Sequence, residues 1–313
     1  MTMPSPYPSL RLFNDKAWRK KYLRYWLSDP FWGALDYGSH YLLRHLPMRA
    51  NASTGAFLGP VAAKYRFKTQ HERAKRNLAL LRSDLSEQAQ EKMLTQMWQN
   101  IGQSMSEYSI LDKIYSHNRI SIENSDCLQP FIDRKQAVIF VSVHTGNWEL
   151  WGNLAIAYGF DFMALYMPER NRFAHKIAHL SRERMGAMKL VESNPAAMRQ
   201  ICKHLADKGA LWIAIDEVKK NQVNVPSFSR KPKTQHSNLS FAVRLAQRYH
   251  AAIIPVWTRR EAALHFSIKL GEPLTVAAGD KAFAEAFANL DQGLEAWLMD
   301  NLEQWYMLHE LRL

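Results

Sequence analysis

The 313-residue sequence predicts an α/β fold: a mostly parallel central sheet flanked by helices, with a helical region ahead of it. Three observations carry this prediction. Short uncharged runs such as 137–143 and 211–215 have the β-branched, aromatic character of strands buried on both faces. From Ile120 onward such runs alternate with segments of helical periodicity, the pattern of a parallel sheet covered on both sides. Before Ile120 the apolar residues recur at helical spacing.

In chain order, residues 1–17 hold prolines and little pattern, and a loosely ordered arm is expected there. Residues 18–115 read as a helical, membrane-facing region, and 116–313 as the α/β core continuous with it. Within 18–46, Trp18, Tyr22, Tyr25, Trp26, Phe31 and Trp32 interleave with Arg19, Lys20, Lys21 and Arg24. That mixture suits a helix lying in a lipid headgroup layer, and equally a helix packed on the main domain with its charges solvated. A basic amphipathic helix is expected over 61–81. Ser86 is a candidate N-cap, and Met93, Leu94, Met97, Trp98, Ile101, Met105 and Tyr108 form the stripe of the helix behind it. Then come strand 137–143, helix 147–157, strand 162–166, helix 173–185, a brief strand 189–191 and helix 196–206. Strand 211–215, helix 238–249, strands 252–257 and 265–270, and a long helix 281–306 complete the reading.

Composition bounds the function. Hydrophobic residues at 47% and charged residues at 22% place the chain among globular proteins. No run of 18 uncharged apolar residues exists, so a membrane-spanning helix is not expected. The opening MTMPSPYPSL has neither the basic nor the apolar part of a signal peptide. Cys127 and Cys202 lack framework spacing, which points to a reducing compartment and to no zinc site. The formal net charge of +12 would attract nucleic acid, anionic lipid or an acidic carrier protein, and the ten tryptophans tilt that choice toward membrane. The serine-hydrolase elbow, the dinucleotide and P-loop glycine patterns and H-E-x-x-H do not occur, so no metal or nucleotide cofactor is implied.

The chemistry concentrates after strand 137–143, in His144-Thr145-Gly146-Asn147-Trp148-Glu149. A polar turn at the carboxyl end of a parallel strand is where open α/β sheets bind ligands. A neutral imidazole there can take a proton from an alcohol, and Glu149, in the first turn of the next helix, can reach back to hold the ring, with Gly146 allowing the tight fold. The bland alternative is a strand-closing histidine and a glutamate placed by the helix dipole. Asp216 repeats the placement of His144, at the end of strand 211–215.

This turn resembles the H-x-G-N-W-E signature of the bacterial lipid A biosynthesis acyltransferases, within the wider H-x4-D/E glycerolipid acyltransferases, and the similarity runs from about Tyr25 to the C-terminus. The resemblance extends to Asp216, to Val225-Pro226-Ser227-Phe228 and to Arg182 with Gly186. The chain departs from the family at Met167, Glu192 and Ser229, where Arg, a basic residue and Gly are common. The resemblance implies an acyltransferase in which His144 is the general base and Glu149 its partner. Asn147, Arg170, Arg182, Asp216 and Arg230 are then substrate-binding candidates. The expected donor is an acyl thioester on acyl carrier protein or coenzyme A, and the acceptor a lipid. No cofactor is expected beyond the donor's phosphopantetheine, and no nucleic-acid partner. The expected location is peripheral, at the cytoplasmic face of a bacterial inner membrane. The rivals are a non-catalytic basic protein that binds membrane or nucleic acid, and an acyl-thioesterase using the same site.

Overall fold

The computed structural model describes residues 15–169, 171–186, 188–194, 196–219, 222–228, 230 and 237–313. Asp15 caps the first helix by accepting the amides of Ala17 and Trp18, so α1 (Lys16–Leu23) begins inside the expected arm. The remainder of that arm, residues 1–14, lies outside the described residues. A π-helical turn (Arg24–Ser28) joins α1 to α2 (Asp29–His45), and Pro47 precedes α3 (Met48–Tyr65). The helix expected over 61–81 is broken: α3 stops at Tyr65 and α4 (Lys68–Leu81) starts afresh. At the break Phe67 leaves helical geometry and stacks on Trp98, while Arg66 lies over the ring of Trp32. Ser86 caps α5 (Glu87–Glu107), whose Leu94, Met97 and Trp98 are buried while Met105 faces outward.

Helices α3 and α5 approach to backbone contact. A Cβ on Gly59 would collide with the Trp98 carbonyl, and one on Gly102 with the Gly55 carbonyl.

After α6 (Leu111–Ser116) strands and helices alternate: β1 (Ile120–Glu123), α7 (Gln129–Asp133), β2 (Val138–Ser142), α8 (Trp151–Ala157), β3 (Phe162–Tyr166), α9 (Arg172–Met185) and β4 (Lys189–Glu192). Then come α10 (Ala197–Ala206), β5 (Ala210–Ala214), a small hairpin of β6 (Val218–Lys219) and β7 (Gln222–Val223), and α11 (Asn238–Tyr249). β8 (Ala252–Ala262), β9 (His265–Leu270), β10 (Leu274–Thr275) and α12 (Asp280–Met299) follow. The sheet runs β1-β9-β8-β2-β5-β3-β4, with β10 beside β8. Its pairings are parallel except where β8 meets β9 and β10. The sheet is covered on both faces, as the uncharged strands require: Ile139 and Val141 of β2 face a core with α11 and α12, while Val138 and Phe140 face one with Leu150 and Trp151.

The final helix is shorter than its sequence pattern predicts. It stops at Met299, and Asn301 closes it by donating to the Trp297 carbonyl. Two 3₁₀ turns (Leu302–Gln304 and Tyr306–Glu310) then carry the chain back across the sheet edge.

The glycine contact is testable. Gly59→Ala should destabilise the fold by about 1–3 kcal/mol, because neither backbone can yield cheaply. Gly38→Ala, on α2 with nothing near its Cβ direction, should be neutral or slightly stabilising. Urea unfolding midpoints of the two variants check both.

Candidate active site

Strands β2 and β5 pair in parallel with Ser142 opposite Ala214. Continuing both chains by the same offset brings His144 and Asp216 side by side beyond the carboxyl edge of the sheet. Asp216 Oδ1 accepts from His144 Nδ1 at 2.6 Å, and Oδ2 accepts the His144 backbone N–H at 2.8 Å. Oδ2 also accepts the indole N–H of Trp305 at 2.8 Å. Asp216 is wholly buried, and the His144 side chain keeps 16% exposure. With Nδ1–H held by the carboxylate, Nε2 presents its lone pair outward, the tautomer a general base needs. Burial pushes the His144 pKa down, but the Asp216 carboxylate outweighs it and leaves the pKa above the ordinary imidazole value.

Glu149 does not hold the imidazole, contrary to the expectation from the motif. It sits in the 3₁₀ turn Trp148–Leu150, where its charge helps to raise the His144 pKa without a bond to the ring, and Trp148 packs edge-on against the His144 ring at 4.9 Å. Arg182, near the end of α9, grips Glu149 with two bonds of 2.8 and 2.6 Å, and the Tyr108 hydroxyl adds one of 2.6 Å. Burial would raise the Glu149 pKa, but Arg182 and Tyr108 hold it below the usual carboxylate value. Arg182 is therefore engaged by a carboxylate, and its first role is to neutralise Glu149.

Beside this pair a narrow slot runs inward from Trp148. It is lined by Gly152, Phe162, Ala164, Tyr166, Met188, Leu190 and Trp212, with Glu149 and Arg182 at its wall. A wider cleft of about 490 Å³, lined by His179, Glu183 and Gly186, shares Arg182, Met188 and Leu190 with the slot. Trp148 both packs on the His144 ring and lines the slot, so hydrocarbon-compatible walls begin one side chain away from the histidine–aspartate pair.

The family model for bacterial lipid A biosynthesis acyltransferases matches residues 14–312. The chain belongs to that family. No curated protein matches it. Membership makes the protein an acyltransferase, with an acyl donor and a lipid acceptor.

Besides Arg182, two more substrate-binding candidates of this acyltransferase are bonded within the fold. Asn147 is 1% exposed and donates to Glu107 Oε2 at 2.9 Å. Glu107, from the end of α5, is itself buried in a two-pronged ion pair with Arg260 of β8. Arg260 also donates to Ser104 Oγ, and that hydroxyl donates to the Gly146 carbonyl at 2.7 Å. Gly146 has φ +55°, and a Cβ there would sit 2.8 Å from the Thr258 carbonyl, so glycine is required by this close approach to β8. Arg230, the second case, spends its guanidinium on the carbonyls of Val223, Pro226, Ser227 and Arg312, closing its own loop. Arg170 lies outside the described residues. Asp216, expected as a substrate contact, is enclosed behind His144.

Glu107, Arg260 and Trp305 were not singled out in the sequence, and Tyr108 read only as part of an apolar stripe. Glu107 and Tyr108 sit at the end of an ordinary-looking helix, and Trp305 lies inside a stretch that reads as helix.

The Glu107–Arg260 pair predicts a stability effect. Arg260→Met strands a buried carboxylate and should cost about 3–5 kcal/mol, while the Glu107→Gln, Arg260→Met double variant should recover a large part of it. Denaturant titration of the two proteins measures the difference.

Proposed function

We propose that this acyltransferase moves a fatty acyl group from an acyl carrier protein thioester to a hydroxyl or amine of a lipid acceptor, working peripherally at the cytoplasmic face of the bacterial inner membrane. The observation that carries the reading is the His144–Asp216 contact of 2.6 Å, with Trp148 packed edge-on against the imidazole and lining the apolar slot. His144 Nε2 removes the acceptor proton as its oxygen or nitrogen attacks the thioester carbonyl. Asp216 holds the ring and stabilises the imidazolium that forms. When the tetrahedral intermediate collapses, the carbon–sulfur bond breaks and the imidazolium returns its proton to the departing thiolate. The acyl chain follows the slot behind Trp148, which at about 20 Å³ has to widen toward the neighbouring cleft of about 490 Å³ to take it. Glu149 and Arg182 build the wall of that slot as a neutralised pair, and the phosphopantetheine arm is the only prosthetic group involved, brought by the donor.

The membrane part of the proposal rests on the helical region. No helix among the described residues is long and apolar enough to cross a bilayer. Yet Leu27, Phe31, Leu42, Phe57 and Tyr65 are each 60–70% exposed, on α2, α3 and the turn before α2. Lys64, Arg66 and Lys68 neighbour Tyr65 in the chain, and Arg66 lies over the ring of Trp32 on α2. Exposed apolar side chains bordered by cations suit insertion into an anionic headgroup layer. A charge of +12 also favours encounter with an acidic carrier protein.

His144→Ala should lose at least about 10²-fold in transfer rate while keeping a cooperative melt, and Asp216→Asn should also lose heavily. Because the base must be neutral and its pKa is raised, activity should climb with pH through a limb above the ordinary imidazole value of about 6.5. Transfer assays across pH measure both, and full activity in His144→Ala rejects the mechanism. Transfer from the carrier-protein thioester should slow markedly with added salt. Equal, salt-independent use of the coenzyme A thioester contradicts the choice of donor.

A further inference from the structure

We propose that Trp305 is a positioning residue for acyl transfer: its indole N–H, together with the His144 amide, locks the Asp216 carboxylate so that Oδ1 stays aimed at the catalytic ring. The inference rests on the His144–Asp216 reading above and adds a residue to it from the far end of the chain.

The geometry is specific. Oδ2 takes two donors, the His144 N–H and the Trp305 indole, each at 2.8 Å, while Oδ1 takes the imidazole. A carboxylate held by donors on both oxygens cannot turn about its terminal bond without breaking them. Trp305 is itself fully buried and packs on Phe228 at 5.4 Å. Its backbone forms an isolated antiparallel bridge with Thr145, and the next amide, Tyr306 N–H, donates to the His144 carbonyl at 2.8 Å. The segment is pinned on either side. Gln304 bonds the backbone N–H and carbonyl of Arg260 at 2.7 and 3.0 Å, and Asn77 donates to the carbonyls of Leu308 and Leu311, both at 2.8 Å. The C-terminal segment thus delivers one donor to one carboxylate oxygen.

The chemical consequence has a sign. The indole stabilises the charged carboxylate. Without it the negative charge beside the ring is less satisfied and holds a proton on the His144–Asp216 pair more tightly. The acid limb of the rate profile should therefore move to higher pH. The other groups facing the pair are Glu217, Glu149 with its Arg182, and Tyr306 with Glu169, and none of them changes in the test.

The experiment replaces Trp305 with benzothienylalanine by codon suppression in the full chain, which keeps the bicyclic shape and removes the N–H. Trp305→Phe runs beside it. The expected result is a kcat lower by about 10- to 100-fold, the range for one lost hydrogen bond to a charged group, with KM for the acyl thioester unchanged and the acid limb moved upward. Added to Asp216→Asn, either replacement should cost little more, because Trp305 acts through that carboxylate. If Trp305→Phe does not fold, the isostere decides the matter. A parent-like kcat and acid limb in the isostere overturn the role of Trp305. Measured alongside, an inactive His144→Ala shows that the general-base reading stands on its own, and an active one shows that it is this reading that fails.

Discussion

The pairing of β2 with β5 is the constraint on which the site depends. Side chains alternate along a strand, so a one-residue slip would turn one of the two strand-end residues away from the other. With Ser142 opposite Ala214, His144 and Asp216 leave the sheet together and on the same side. The uncharged runs that form these strands bury both faces, with alternate residues in one of two cores. Fold and chemistry are thereby joined at one edge of the sheet.

The turn that carries His144 is held from below by α5. Successive residues of that helix serve its two halves: Glu107 takes Asn147, and Tyr108 takes Glu149. Buried ion pairs such as Glu107–Arg260 are poor sources of net stability because desolvation offsets much of the attraction, but their directional bonds specify one arrangement. Here that arrangement fixes the turn against β8 and the C-terminal segment against both. The same helix packs on α3 through glycines, so the surface bearing Phe57 and Tyr65 is rigidly connected to the turn that carries His144.

Much of the architecture was legible in the sequence because it rests on local patterns. The uncharged runs became strands, and helix 238–249 was read to the residue. The motif turn and Asp216 both stood out as polar residues at the ends of apolar strands. What the pattern did not contain was the order of strands in the sheet, and without it the carboxylate nearest in sequence, Glu149, looked like the partner of His144. Its actual partner, Arg182, comes from a helix packed across the turn. Arg230 read as a substrate-binding candidate beside a matched block, since carbonyls that will surround a guanidinium leave no trace in side-chain identity. Trp305 was hidden for a related reason: the apolar spacing of α12 continues past Met299, and only the tertiary bonds of 301–311 show where the helix ends.

The central claim is that Asp216, and not the motif glutamate, holds the imidazole of His144. Nitrogen-15 and proton NMR of histidine-labelled enzyme addresses it directly, through the Nδ1–H proton of His144 assigned by its loss in His144→Ala. The account predicts a strongly downfield Nδ1–H resonance that persists in Glu149→Gln and disappears or moves far upfield in Asp216→Asn. A resonance that survives in Asp216→Asn and vanishes in a folded Glu149→Gln would contradict it.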